Sequence, residues 1–238
     1  MTPLRHCLAA AALATLSLTA AHAQTMIGGG KFAPSFPIVI NQPGSYKLAA
    51  NLQVPAGTAG IHVQASGVTL DLNGYMITGS AGCTGAWPNM TCTSSSNGHV
   101  GVLGGAGVTV RNGRVSNFTL AVQLGDDAVA EDLVLETNAW YGLAMGHRGN
   151  ARQVTTRLNA MYGVWIKNGI ASNLLVTQSH RGVFMQGGML QSSVVRDTTY
   201  AYDGNGFPSG VRDTFLQGTT MPYAGVSMGG NLCNLQPC

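Results

Sequence analysis

The octet Asn138-Ala-Trp-Tyr-Gly-Leu-Ala-Met145 is written again, with four identities, as Asn159-Ala-Met-Tyr-Gly-Val-Trp-Ile166, 21 positions later. Repetition at a short fixed period constrains a fold more than composition does. A unit of this size cannot bury its apolar side alone and must lie on its neighbour. Gly101-Val102, Ala121-Val122, Gly142-Leu143, Gly163-Val164 and Gly182-Val183 each open an apolar-x-apolar triplet, at intervals of 20, 21, 21 and 19. A second apolar run follows about ten residues on, at Val108–Val110, Leu133–Leu135, Val154–Thr156, Leu174–Val176 and Val194–Val195. Each unit therefore holds at least two short strands. A polar column at Asn117, Asn138, Asn159, Ser179 and Thr199 predicts an inward-facing turn ladder, its side chains bonded to one another and to the backbone.

If each unit is one turn of a coil, side chains one period apart stand roughly 4.8 Å apart on the same face. A shift of 21 carries Asp126 onto His147, Asp127 onto Arg148, Glu131 onto Arg152 and Glu136 onto Arg157; only Asp132 meets an uncharged partner, Gln153. Opposite charges on neighbouring strands contribute about 0.2–1 kcal/mol each, so the pattern specifies register more than strength. A β-sandwich also alternates strands with turns, but two packed sheets have no reason to keep charge complements at a constant interval. The sequence predicts an all-β, single-stranded parallel β-helix of about seven to eight rungs.

Residues 1–23 carry one Arg, a short apolar run and the ending Ala21-His22-Ala23, the pattern of a secretory signal peptide. The apolar run is too short for a membrane span, so no membrane insertion is expected. The remaining 215 residues hold 11 Lys and Arg against 9 acids with no basic patch, which argues against a nucleic-acid partner. Export to the periplasm or the medium permits disulfides. The spacings favour Cys83 with Cys92 and Cys233 with Cys238, although three connectivities are open. Residues 24–58 are read as a cap on the first open edge, 59–222 as the coil, 80–98 as a disulfide-held loop within it, and 223–238 as a C-terminal tail.

The stretches INQPGSYKLAANLQV and GIHVQASGVTLDLNGYMITG resemble the opening of secreted right-handed parallel β-helix proteins of the pectate-lyase-like group, the pectin lyase fold. The resemblance covers roughly Ile38 to Thr220 and implies a right-handed coil. Its activities include lyases, hydrolases and epimerases beside adhesins and proteins without known chemistry, so it implies fold rather than function.

Within each triplet the middle residue faces outward, giving the column His62, Leu103, Gln123, Ala144, Trp165, Phe184. Trp165 and Phe184 stand on neighbouring turns, with Lys167 and Gln186 two places on. Aromatic rings flanked by polar groups suit sugar rings, so Trp165, Phe184 and Gln186 are ligand-binding candidates. The competing reading folds the loop carrying Trp87 over them as a satellite core. Asp126 and Asp127 are the acid candidates. A resemblance to polygalacturonase-like hydrolases rests on this pair and on Ser179-His180-Arg181-Gly182, while that family's Asn-Thr-Asp and Arg-Ile-Lys elements are missing. Hydrolysis needs two carboxyls about 5 to 9.5 Å apart, whereas the shift of 21 sets His147 and Arg148 beside the pair. A lyase would combine Asp126 and Asp127 with His147, Arg148 and Lys167 and would need Ca²⁺, the one cofactor conceivable here. Asp203-Gly204-Asn205-Gly206 matches part of a calcium loop but reads as a glycine-rich turn. No metal centre, P-loop, nucleophile elbow or dinucleotide motif is present. The leading expectation is a non-catalytic secreted protein binding polysaccharide or a cell-surface partner, with a polysaccharide lyase or glycoside hydrolase acting on an acidic polymer as the alternative.

Overall fold

Short alternating runs leave their backbone groups without partners inside their own unit, and the partners must come from the units before and after. The computed structural model describes residues 24–30, 34–93, 99–204 and 206–238, and all regular structure among them is strand. The signal-like segment 1–23 and Asn205 lie outside the described residues.

The chain winds as a parallel β-solenoid of about nine turns, against the seven to eight expected. Residues 38–53 already belong to the coil, because Ile38 pairs with Ile61, Gly44 with Val68 and Leu52 with Ile77. Each turn contributes three strands. The first ladder runs through Ile61–Val63, Val100–Gly104, Leu120–Leu124 and Tyr141–His147 into the opening halves of Tyr162–Ser172 and Arg181–Gln191. The second joins Val68–Asp71 to Thr109–Arg111, Val129–Glu131 and Asn150–Arg152. The third joins Met76–Thr78 to Arg114–Ser116, Leu133–Glu136 and Val154–Arg157. The second apolar run read from the sequence therefore merged two ladders: Val108–Val110 lies on the second face, and the segments from Leu133 onward lie on the third.

Corners between the second and third faces are turned by the pair Asn73-Gly74 in an early turn and by one residue at positive φ in six later ones, at Asn112, Asp132, Gln153, Asn173, Ser192 and Asp213. Those between the third and first faces use Asn117, Thr137, Leu158, Gln178 and Asp197. A left-handed residue bends the chain sharply while leaving the next strand in register, and Asn and Asp tolerate it best. Thr137 and Leu158 take it as well, and the Thr137 hydroxyl donates to Asn117 Oδ1 of the preceding turn at 2.8 Å.

The polar ladder exists, one position away from where its ends were expected. Ser116 pairs with Glu136, which sets Asn117 beside Thr137 and gives the inward place to Phe118. The buried column is Phe118, Asn138, Asn159, Ser179 and Thr198. Turns of 19 and 20 residues shift a strict 21-residue alignment by one at each end, so Asn117 and Thr199 fall outside it. Asn159 Oδ1 accepts from the backbone N–H of Asn138 at 3.2 Å and from its amide at 2.8 Å, while Asn138 Oδ1 accepts from the N–H of Phe118 at 3.1 Å.

The charge complements are neighbours as the period requires. Arg152 pairs with Glu131, and Arg111 lies between Asp71 and Glu131 at 3.6 and 3.9 Å. Glu136 is held by Arg157 at 2.5 Å and by Arg114 at 2.8 Å. Burial alone would raise the Glu136 pKa, but hydrogen bonds from Arg114 and Arg157 outweigh it and hold the carboxyl below its ordinary 4.5. A depressed folded value contributes stability above the unfolded pKa, and that stability is lost as pH falls through the folded value. The denaturation midpoint should therefore hold a Glu136-dependent increment from pH 7 to about 4.5 and lose it below. Because the arginines are half exposed, the increment is on the order of 1 kcal/mol. Urea titrations of Glu136→Gln beside the parent check this, since the difference between the two should shrink in acid.

Cys83 is bonded to Cys92 and Cys233 to Cys238, the two local pairs favoured by spacing. The first closes the antiparallel hairpin Gly82–Thr84 and Thr91–Thr93. The second holds Leu232–Cys233 against Gln236–Pro237, an antiparallel pair at the last turn. Pro237 cannot donate a ladder hydrogen bond, so this end is blunted against further strand addition.

Candidate functional site

The outward residues of the first ladder form the expected column. His62, Leu103, Gln123, Ala144, Trp165 and Phe184 are successive register partners. Trp165 and Phe184 stack at 6.3 Å with planes 3° apart. Stacking changes what the pair can offer: Phe184 is only 5% exposed, with Trp165 on its face and the Tyr162 ring edge-on at 5.6 Å. Phe184 therefore supports Trp165 and has little surface to give a ligand. Residues 94–98 of the loop read as a cover lie outside the described residues. Cys83 Sγ of the hairpin lies 3.6 Å from the Thr137 carbonyl, at the corner before the first face, and the ring and cation contacts of Trp165 are with Phe184 and Lys167.

Beside this column runs a second, unforeseen one. Tyr141, Tyr162, Arg181 and Tyr200 are register partners on four consecutive turns. Tyr141 and Tyr162 stack at 5.0 Å, 11° apart. The Arg181 guanidinium lies 5.4 Å from the Tyr162 ring centre and 5.5 Å from that of Tyr200. It donates to the Tyr162 hydroxyl at 2.8 Å and approaches Asp203 at 3.3 Å. Trp140 and Met161, at the preceding corner, are 40% and 42% exposed. The repeated octet contained the signal for this column, since its Tyr recurs with the period. Reading the triplets alone passed over it, because Tyr141, Tyr162 and Arg181 stand three places before the middle residue and so outside the triplet.

At the far edge of the same face, the corner holds the acid and base candidates. Asp127, Arg148 and Asn168 occupy its positive-φ positions at 55°, 59° and 44°. Arg148 Nε and Nη2 donate to the two Asp127 carboxylate oxygens at 2.6 Å each. Asp126 lies against His147 as its spacing required, but the bond runs from the His147 backbone N–H to Asp126 Oδ1 at 2.8 Å. The imidazole instead faces Asn168, with Nδ1 to Nδ2 at 3.1 Å. Lys167 is the register partner of both His147 and Gln186, and its Nζ lies 5.1 Å from the Trp165 ring centre. The five catalytic candidates thus come together on three consecutive turns and adjoin the aromatic columns.

Their electrostatics are those of an ion-pair ladder. The Arg148 hydrogen bond, more than its charge, holds the Asp127 carboxyl below the usual carboxylate range, and the same contact raises the guanidinium. An exposed carboxylate kept ionised in this way cannot serve as a general acid near neutrality. Among the described residues no group of three or more His, Cys, Asp or Glu side chains is placed to hold a metal ion. What the face can do chemically is present stacked rings, hydroxyls, a guanidinium, an ammonium and amides along one ladder. No family model matches the chain, and neither a curated protein nor a solved structure matches it.

Proposed function

We propose that the protein is a secreted or periplasmic, non-catalytic β-helix that binds polysaccharide, free or on a cell surface, along the first face. The observation that carries the reading is the double column Tyr141, Tyr162, Arg181, Tyr200 and Trp165, Lys167, Gln186 on one ladder. The aromatic rings are fixed by one another, so little side-chain freedom is lost when a ligand lands on them. Polar groups interleave with them at the spacing of the turns, suiting a polymer that offers hydroxyls at regular intervals. Two disulfides are compatible with an extracellular location, and the signal-like residues 1–23 agree with it.

Affinity electrophoresis through gels containing soluble polysaccharides tests the reading. Retention should fall at least about tenfold in Tyr162→Ala and in Trp165→Ala, roughly the 1.4 kcal/mol that a well-placed ring contributes. Retention unchanged in both variants would remove the face.

The second reading, a lyase or hydrolase centred on Asp126, Asp127, His147, Arg148 and Lys167, is favoured by their convergence on adjacent turns. Against it stands the bidentate bond that keeps Asp127 ionised. New reducing ends or unsaturated products from uronate polymers, with or without Ca²⁺, would establish it.

A further inference from the structure

The first face carries charge of both signs in equal number. Its strands and the corners that follow them, residues 38–40, 61–64, 100–107, 120–127, 141–148, 162–168, 181–188 and 200–204, contain three cations, Arg148, Lys167 and Arg181, and three carboxylates, Asp126, Asp127 and Asp203. Two of the cations are already engaged. Arg148 gives two parallel hydrogen bonds to Asp127 at 2.6 Å, the geometry in which a guanidinium would otherwise take a ligand carboxylate. Arg181 lies 3.3 Å from Asp203, between two tyrosine rings, with Nη1 also on the Tyr162 hydroxyl. The third, Lys167, lies over Trp165, on the same stretch of corner as Asp126.

An acidic polymer laid on this face would meet as many carboxylates as cations and would find both guanidinium groups committed. It gains nothing from long-range attraction, because the summed field of the face is near zero. A chain of uncharged sugars meets no such obstacle and still finds tyrosine hydroxyls, the Gln123 and Gln186 amides and the Trp165 ring. Resting on the polysaccharide-binding reading above, we infer that the ligand of this face is an uncharged polysaccharide.

Affinity electrophoresis through a neutral glucan and a galactomannan, beside polygalacturonate and alginate, at two ionic strengths, separates the two levels of the argument. The parent protein should be retained by a neutral polymer, with less than about twofold change between about 0.05 and 0.5 M salt, where exposed charges are screened. The acidic polymers should pass it freely. The double variant Asp127→Asn/Asp203→Asn releases both guanidinium groups and should gain at least about fivefold retention on polygalacturonate, lost again at high salt. This is a gain of binding, which misfolding does not mimic.

Parent retention by the acidic polymers alone, falling steeply with salt, would overturn the inference while leaving the face a polysaccharide site. So would a double variant that keeps the fold by circular dichroism and stays unretained on polygalacturonate. No retention of the parent on any of the four polymers would overturn both the inference and the reading beneath it.

Discussion

Gly163→Val is expected to destabilise the protein by more than about 4 kcal/mol, the range reached only by overpacking in a core or comparable damage. Gly163 does not lie at positive φ, so the requirement concerns space and not conformation. A Cβ there would lie 2.5 Å from Val176 Cγ1 and 2.7 Å from both the Gly182 carbonyl oxygen and Thr156 Oγ1. One obstacle is the backbone of the next turn and another is a branched core residue, neither of which yields cheaply. Each turn of a solenoid touches only its neighbours, so damage between two turns also uncouples the halves on either side. Gly163→Ala should cost less, because Ala121 and Ala201 occupy the same place on other turns and are fully buried there. Gly105→Ala is the control, since its nearest obstacle is the Val63 carbonyl at 3.9 Å, and it should stay within about 0.5 kcal/mol of the parent. Thermal melts followed by circular dichroism measure all three. A Gly163→Val protein melting within about 5 °C of the parent would show that the turns do not approach as closely as the structure has them.

The small residue opening each triplet was visible in the sequence before any coordinate, and the reason for it was not. Gly142, Gly163 and Gly182 follow the period because a strand enters the first face there against the carbonyl of the neighbouring turn, a contact that only stacking creates. The charge complements were legible for a related reason. Glu131 with Arg152 and Glu136 with Arg157 are pairs across one period, and a period is a property of sequence. What the sequence concealed was the difference between faces. Val108–Val110 and Leu133–Leu135 look alike as apolar runs, yet they lie on different ladders, because the corner between them is a single left-handed residue, Asn112 in one turn and Asp132 in the next, and at Asp132 no glycine follows to mark it.

The candidate site was legible as a neighbourhood and less so as chemistry. Spacing put Asp127 against Arg148 and Trp165 against Phe184. It could not say that His147 would offer its backbone to Asp126 and its ring to Asn168. Nor could it say that Phe184 would be covered, since that depends on rotamers, which respond to packing across turns. The Tyr141, Tyr162, Arg181 and Tyr200 column was missed because Arg181 interrupts it, and a guanidinium between two phenol rings reads in sequence as a loss of pattern. In space it continues the stack, because its planar cation lies on aromatic faces as a ring would.

Asn159→Ala is expected to cost about 3 kcal/mol and to lower the melting temperature by roughly 6–12 °C. The side chain is fully buried and bonded to the preceding turn through both its oxygen and its nitrogen, accepting from Asn138 and donating to the Leu135 carbonyl at 3.2 Å. Its removal leaves the Asn138 N–H and amide facing apolar surroundings without their acceptor, the costly way to lose a buried hydrogen bond. Asn159→Ser should be milder, because Ser179 fills the same position on the next turn. The decisive measurement is the double variant Asn138→Ala/Asn159→Ala. If the two amides act as one ladder, the second substitution removes a group that the first has already stranded, and the double variant should lose about 1 kcal/mol less than the sum of the singles. Strict additivity in denaturant titrations would mean that each amide is satisfied by its own turn alone. The coil would then be held in register by its apolar core and its surface ion pairs, without help from the buried polar column.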